Sequence, residues 1–347
     1  MTESSRIDPP SPFRLPPAGS KSQVVVTGSV AFDYLMRFPG RFVEHLIPDR
    51  LSRLSVSFLV DEMRRVPGGC GPNIAYSLAI LGETPLLFAT AGRDAAEYRE
   101  RLGRDGVDVS GLVLHDDVFT ASFFVSTDQD QNQIASFYTG AMARAGDLSI
   151  ETLDASGIAL VVVSPNDPGA MARYAAECRR GRIPFLWDPS QQVARLTGEE
   201  LKKGMAGAAI VVVNDYEFGI LTRKTELSRE ELERQVPVLV VTHGEDGSTI
   251  SFADGPARTR EEVPAARLET AAVDPTGVGD AFRAGLVRGL RIGASWATAG
   301  RMGSVAAVFG LEALGPQPSR YTIEEFRERY VRNFGEESIL ERLGEES

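Results

Sequence analysis

An α/β fold with a mostly parallel sheet and a small inserted β-lid is predicted by three observations. Short apolar runs recur at residues 24–26, 86–90, 158–164, 184–187, 210–213 and 238–242. Helical patterns lie between several of them. Residues 121–127 and 133–138 instead alternate apolar and polar side chains. Runs apolar on both faces suit strands covered by helices on two sides. Alternation of period two suits strands with one wet face.

Taken in order, residues 1–23 are rich in Pro and Ser and lack the apolar core of a signal peptide. They read as a disordered leader outside the fold. Residues 24–26 (VVV) form a first buried strand ending in the turn Thr27-Gly28-Ser29. Residues 34–38 and the alternating 54–60 (LSVSFLV) are expected to join 121–127 and 133–138 in a small antiparallel sheet. The polar turn 128–132 separates the last two. The lid thus comprises about 34–62 and 118–142, inside a body of 24–335 followed by a tail, 336–347. Residues 72–81 form a helix with Ile74, Ala75, Leu78, Ala79 and Leu81 apolar, stopped at Gly82. A second helix, 171–180, stops at Gly181.

The chain has 347 residues, 43% hydrophobic and 24% charged, enough to bury a sizeable core. Its formal charge of -11 argues against nucleic-acid binding, which needs a basic stripe to displace counterions. A small anionic ligand stays open, because oriented amides at a helix start bind phosphate. Cys70 and Cys178 supply neither a disulfide framework nor a zinc set, as in a reducing cytosol. No apolar run is long enough to span a membrane.

The segment DPTGVGDAFRAG, residues 274–285, carries the strongest chemical signal. Gly277 and Gly279 precede a helix expected from Asp280 to about Leu290. Small residues there leave amide N–H groups bare at the positive end of the helix dipole. With Asp280 on the first turn, the arrangement suits phosphoryl transfer. The amides hold the transferring group and the carboxylate takes the proton of the attacking hydroxyl. Alone, the motif is better read as a Gly-rich turn with Asp280 as an ordinary helix cap. The chain contains no Gly-Lys pair and no GxGxxG at a helix start, which removes the Walker loop and the usual dinucleotide fingerprint. PGGCGPN, residues 67–73, lets a ligand approach the backbone, and Asn73 offers a donor and an acceptor to a polyol. Asp33 follows the first strand, where open α/β sheets bind ligands.

Together, the glycine-rich segment and DPTGVGD, about two hundred residues apart, resemble the two signatures of the ribokinase-like (PfkB) carbohydrate and nucleoside kinases. The resemblance runs from about Val24 to Tyr330. TGSVAFDYLMRFPGRF, LSVSFLVDE, QIASFYTGAM, DPSQQ and NDYE further resemble the bacterial adenosine kinases. It implies a three-layer fold and a cytoplasmic enzyme of purine salvage, transferring a phosphoryl group from ATP to the 5′-hydroxyl of adenosine. A broad nucleoside kinase or a ribose or fructose kinase is the alternative. Asp280 matches the catalytic base, and Gly277, Val278 and Gly279 match the anion hole. Ser29, Asp33, Gly69 and Asn73 match ribose contacts, with Ser57 a further lid contact. Phe123 and Phe137 match the aromatics around the adenine, and Gln191 and Gln192 its polar edge. Asn214, Thr242, Gly244, Gly247 and Thr276 match the ATP side. Asn214 and Glu217 match the Mg²⁺ segment, acting through water, and Asp274 a monovalent cation site, often K⁺. A homodimer through the lid is expected, because half-wet strands bearing Leu54, Val56 and Phe58 leave apolar surface to cover.

Overall fold

The computed structural model describes residues 15–16, 22–45, 55–254, 257–318 and 320–344. In chain order the strands are β1 (Gln23–Thr27), β2 (Ala31–Arg37), β3 (Glu62–Gly68), β4 (Leu86–Leu87), β5 (Ala89–Gly92), β6 (Leu112–His115) and β7 (Ala121–Thr127). They continue with β8 (Gln133–Tyr138), β9 (Ile158–Val163), β10 (Phe185–Trp187), β11 (Ile210–Asn214), β12 (Val238–Thr242), β13 (Ser248–Asp254) and β14 (Ala257–Val263).

Eight strands form the main sheet in the order β14-β13-β12-β11-β10-β9-β1-β4. It is parallel from β4 to β12, and β13 and β14 add an antiparallel edge. The continuous apolar runs are explained by the two cores they feed. Val24, Val26, Leu160, Val162, Val212 and Val240 point into one. Val25, Val161, Val163, Val211, Val213 and Val241 point into the other. Alternate residues therefore face opposite helical layers, and the body has three layers.

The helix expected at 72–81 spans Cys70–Ile80, with Gly82 left-handed just beyond its cap. The second spans Pro168–Gly181, started by Asp167, whose carboxylate accepts from the Ala170 N–H. The helix after the DPTGVG turn spans Val278–Arg291.

The lid sheet has the order β3-β2-β7-β8. β7 and β8 occupy the two alternating segments. β2 and β7 run parallel at its centre, between two antiparallel pairs. The strand expected at 54–60 is not formed: 55–60 is irregular, Leu54 lies outside the described residues, and β3 pairs with β2 instead. Phe58 explains the difference, since its ring packs on Phe38 and Phe42 at 5.1 and 4.8 Å rather than on a lid face. Leu15, expected in the disordered leader, is buried in the core, and the Pro16 carbonyl accepts from Arg291. The expected tail is also packed: Leu340 and Leu343 are buried.

Candidate active site

The DPTGVGD segment, the glycine-rich segment before Asn73 and Asp33 meet at one cavity along the C-terminal edge of the parallel sheet. β1 leads there into Gly28 and Ser29 and β10 into Asp188, while β11 ends at Asn214 and β12 at Thr242. Asn214 and Thr242 are register partners. The lid lies over the same edge, with Asp33, Phe123 and Phe137 side by side in register across β2, β7 and β8. Together these elements enclose a cavity of about 880 Å³, within the usual size of a small-molecule site.

Ser29, Asp33, Gly69, Asn73, Phe123, Phe137, Gln191 and Gln192 all line the cavity. So do Asn214, Glu217, Thr242, Gly244, Gly247, Thr276 and the run Gly277–Asp280. Two expected residues do not. Ser57 stands exposed in the irregular 55–60 segment, away from the wall. Asp274 turns its carboxylate to backbone, accepting from Thr276 N–H at 2.9 Å and Gly315 N–H at 3.1 Å. It thereby ties the DPTGVG turn to the loop after the Trp296–Leu311 helix.

Gly277 caps the Val278–Arg291 helix at φ 76°, a left-handed conformation that suits glycine. A Cβ there would stand 2.5 Å from the Pro316 carbonyl oxygen. The turn is pressed against that loop and lines the cavity from Thr276 to Asp280; within it Val278 N–H donates to the Pro275 carbonyl at 3.4 Å. Asp280 follows on the first helical turn, buried, and Asn73 Nδ2 donates to its Oδ2 at 2.9 Å. Gln317, which donates to Asn73 Oδ1 at 3.1 Å, fixes the orientation of that amide. Burial pushes the Asp280 carboxyl up to about 7, against the pull of Arg283 and Asn73 and with help from the Asp188 and Glu217 charges. A carboxyl that ionises near neutral pH is matched to proton abstraction from a hydroxyl. Asp33 is raised to about 6 by burial and by the Asp274 charge.

The residues that sequence reasoning missed are Arg283, Asp188 and Ser190. Arg283 is buried, one turn after Asp280, with Nη2 at 2.6 Å from Asp188 Oδ1. Its partner lies 95 residues away in the chain, so no local pattern marks the pair. Cys70 also lines the wall. Burial, followed by the Asp280 and Asp188 charges, pushes its thiol well above the usual range, so little thiolate is present for oxidation.

Among the described residues no group of three or more His, Cys, Asp or Glu is arranged to hold a metal. Asn214 and Glu217 form a capping box: Asn214 Oδ1 accepts from Glu217 N–H at 2.7 Å, and Glu217 Oε2 from Asn214 N–H at 2.8 Å. That uses the one side-chain oxygen of Asn214 and leaves one Glu217 carboxylate oxygen beside Asp215 on this part of the wall. Such a sparse set fits Mg²⁺, which keeps most of its waters and shares phosphate oxygens.

The family signature of carbohydrate kinases matches residues 25–322. The chain belongs to the pfkB family of carbohydrate kinases. It is therefore a phosphotransferase acting on a hydroxyl acceptor. A nucleoside kinase of Methanothermobacter thermautotrophicus is 30% identical over 318 residues, covering 90% of this chain and 97% of that protein. A Burkholderia thailandensis nucleoside kinase, solved in complex with inosine, is 36% identical with a TM-score of 0.76, covering 90% of this chain and 98% of that one. The same protein in complex with ADP-inosine superposes with a TM-score of 0.74 at 37% identity, covering 90% of this chain and 96% of that one.

Proposed function

We propose that this member of the family is a nucleoside kinase of broad acceptor range, transferring the γ-phosphoryl group of ATP to a ribose 5′-hydroxyl. Adenosine is one acceptor among several. The observation that carries the reading is the pairing of Phe123 and Phe137 with two glutamines around one cavity. A free sugar has no face for such rings, whereas a base stacked on aromatics gains about 1–3 kcal/mol. The similarity to nucleoside kinases supports the same reading.

The polar edge favours breadth over adenosine alone. Gln192 Nε2 donates to the Asn166 carbonyl at 2.9 Å, and its Oε1 is buried without a partner. A lone acceptor takes N6–H of adenine or N1–H of hypoxanthine. Gln191, exposed beside it, turns either end of its amide to the base. Adenine and hypoxanthine therefore both find partners.

In the proposed reaction Asp33 accepts bonds from ribose hydroxyls, assisted by Ser29, Gly69 and Asn73. Asp280 takes the 5′-hydroxyl proton as its oxygen attacks the γ-phosphorus. The amides of Gly277–Gly279 receive the charge on the transferring group. Asn214, Thr242, Gly244, Gly247 and Thr276 border the ATP side. Asn214 and Glu217 would hold Mg²⁺ through water, and the ion would supply neutralisation of phosphate charge. The Asp274 segment is proposed to hold a monovalent cation. Lid closure excludes water that would otherwise accept the phosphoryl group. A dimer through the lid is supported by its face turned away from the cavity. Met63, Phe124, Ile134 and Tyr138 are exposed there, with Tyr34 stacked on Phe124 at 4.7 Å.

Product analysis tests the reaction. With ATP, Mg²⁺ and adenosine, AMP and ADP form in equal amounts, and 5′-deoxyadenosine gives no product. ADP released without AMP would contradict the reading.

A further inference from the structure

One guanidinium joins the three parts of the site. Arg283 meets Asp188 at two points, Nη2 donating to Oδ1 at 2.6 Å and Nε standing 2.5 Å from Oδ2 as an ion-pair contact outside hydrogen-bond geometry, a fork of one hydrogen bond and one charge contact. Nη2 also donates to Ser190 Oγ at 3.0 Å, and that hydroxyl donates to Asp188 Oδ1 at 2.7 Å. The guanidinium edge lies against the anion-hole turn as well, since a Cβ on Gly279 would stand 2.7 Å from Nη1. Asp188 is completely buried and follows the last residue of β10, where its N–H donates to the Val163 carbonyl at 2.9 Å. Its position is therefore fixed by the central sheet.

Ser190 has φ 38°, a left-handed conformation in a residue that carries a Cβ. Such backbone persists when surrounding bonds over-determine it, and it clusters at functional sites. Here the bonds come from Asp188 and Arg283. The next two residues are Gln191 and Gln192, both on the cavity wall. Relaxing Ser190 toward negative φ would turn the chain where the glutamines begin.

We infer that Arg283 is a positioning residue that clamps the 188–192 loop in its strained form, setting the base-reading glutamines against the helix that carries Asp280. The inference rests on the nucleoside reading only for what the glutamines contact. The fork itself is independent of substrate. A lysine keeps the charge in this buried group but reaches one point instead of two. The geometry of the fork, rather than charge alone, is the property the loop requires.

The test uses the full chain with Arg283→Lys and Arg283→Met, read by hydrogen exchange without ligand and by steady-state kinetics. Exchange at 190–192 is expected to rise about tenfold or more in both variants, with the Val278–Arg291 helix still protected. The acceptor KM is expected to rise on the order of tenfold, with the ATP KM within about twofold of the parent. Arg283→Lys carries the test if Arg283→Met fails to fold, since removing one partner of a buried pair strands the other charge. Unchanged exchange at 190–192 in the folded variants would overturn the inference, as would acceptor and ATP KM rising together. Faster exchange in a chain that phosphorylates only free sugars would keep the clamp and reject the nucleoside reading.

Discussion

Asp280 sits under two opposed demands. The proposed reaction asks for a carboxylate that takes a proton near neutral pH, while burial, with the Asp188 and Glu217 charges, disfavours its charge. The balance places its ionisation at about 7, so kcat/KM for the nucleoside should climb as pH rises through that value. Asp280→Asn removes the acceptor of the proton. Turnover should fall by roughly 10²–10⁴-fold with nucleoside binding largely kept, as calorimetry would show. Near-normal turnover would exclude the base assignment. The same substitution should stabilise the fold. The parent's carboxyl ionises near 7 when folded and near 3.8 when unfolded, so its folded state loses stability as pH rises between those values. The gain in Tm of Asp280→Asn should therefore grow from pH 4 to 7 and level off above. A pH-independent gain would contradict the burial argument. Phe137, half-exposed on the lid, offers a second residue test. Phe137→Ala should raise the nucleoside KM on the order of tenfold and leave the ATP KM nearly unchanged, given the usual strength of base stacking. Equal effects on both would argue against stacking.

Elements show how much of the protein was legible in the sequence. β7 and β8 announce themselves by alternation, because each has one face toward the cavity and one away. LSVSFLV alternates in the same way, yet 55–60 forms no strand, and Phe58 packs on the Phe38 and Phe42 rings instead. β3 was hidden for the opposite reason. EMRRVPG carries charges and a proline, which suit an edge strand but carry no local signal. Its pairing with all seven residues of β2 is a tertiary fact. The DPTGVG turn was legible because its chemistry is local: a left-handed glycine, bare amides and an acid within one helical turn. Gly277→Ala should consequently lower turnover about 10²-fold or more by displacing that turn from Pro316, with near-UV circular dichroism unchanged. An active Gly277→Ala would mean that the amides do not hold the transferring group. The Arg283–Asp188 fork was not legible, since nothing local in either segment points to the other.

For the molecule as a whole, the acidic composition and the anionic ligands are reconciled by where positive potential is placed. The chain carries a formal charge of -11, and its cavity wall includes two arginines, Arg195 and Arg283. Amide groups at a helix start and a bound Mg²⁺ supply the rest under the proposed reaction. The lid has two faces, one that lines the cavity and would close on the acceptor in the proposed reaction, and one left apolar. Light scattering should therefore give twice the mass of one chain, reduced to one chain by Ile134→Arg; a monomeric parent would refute the lid dimer. The central claim is the class of acceptor, and one measurement addresses it most directly: kcat/KM in a coupled kinase assay with adenosine, inosine, guanosine, ribose and fructose at fixed ATP and Mg²⁺. The nucleosides should exceed both sugars by at least about tenfold, with adenosine and inosine both accepted, since stacking on the rings has no counterpart for a free sugar. Activity confined to ribose or fructose would contradict the account.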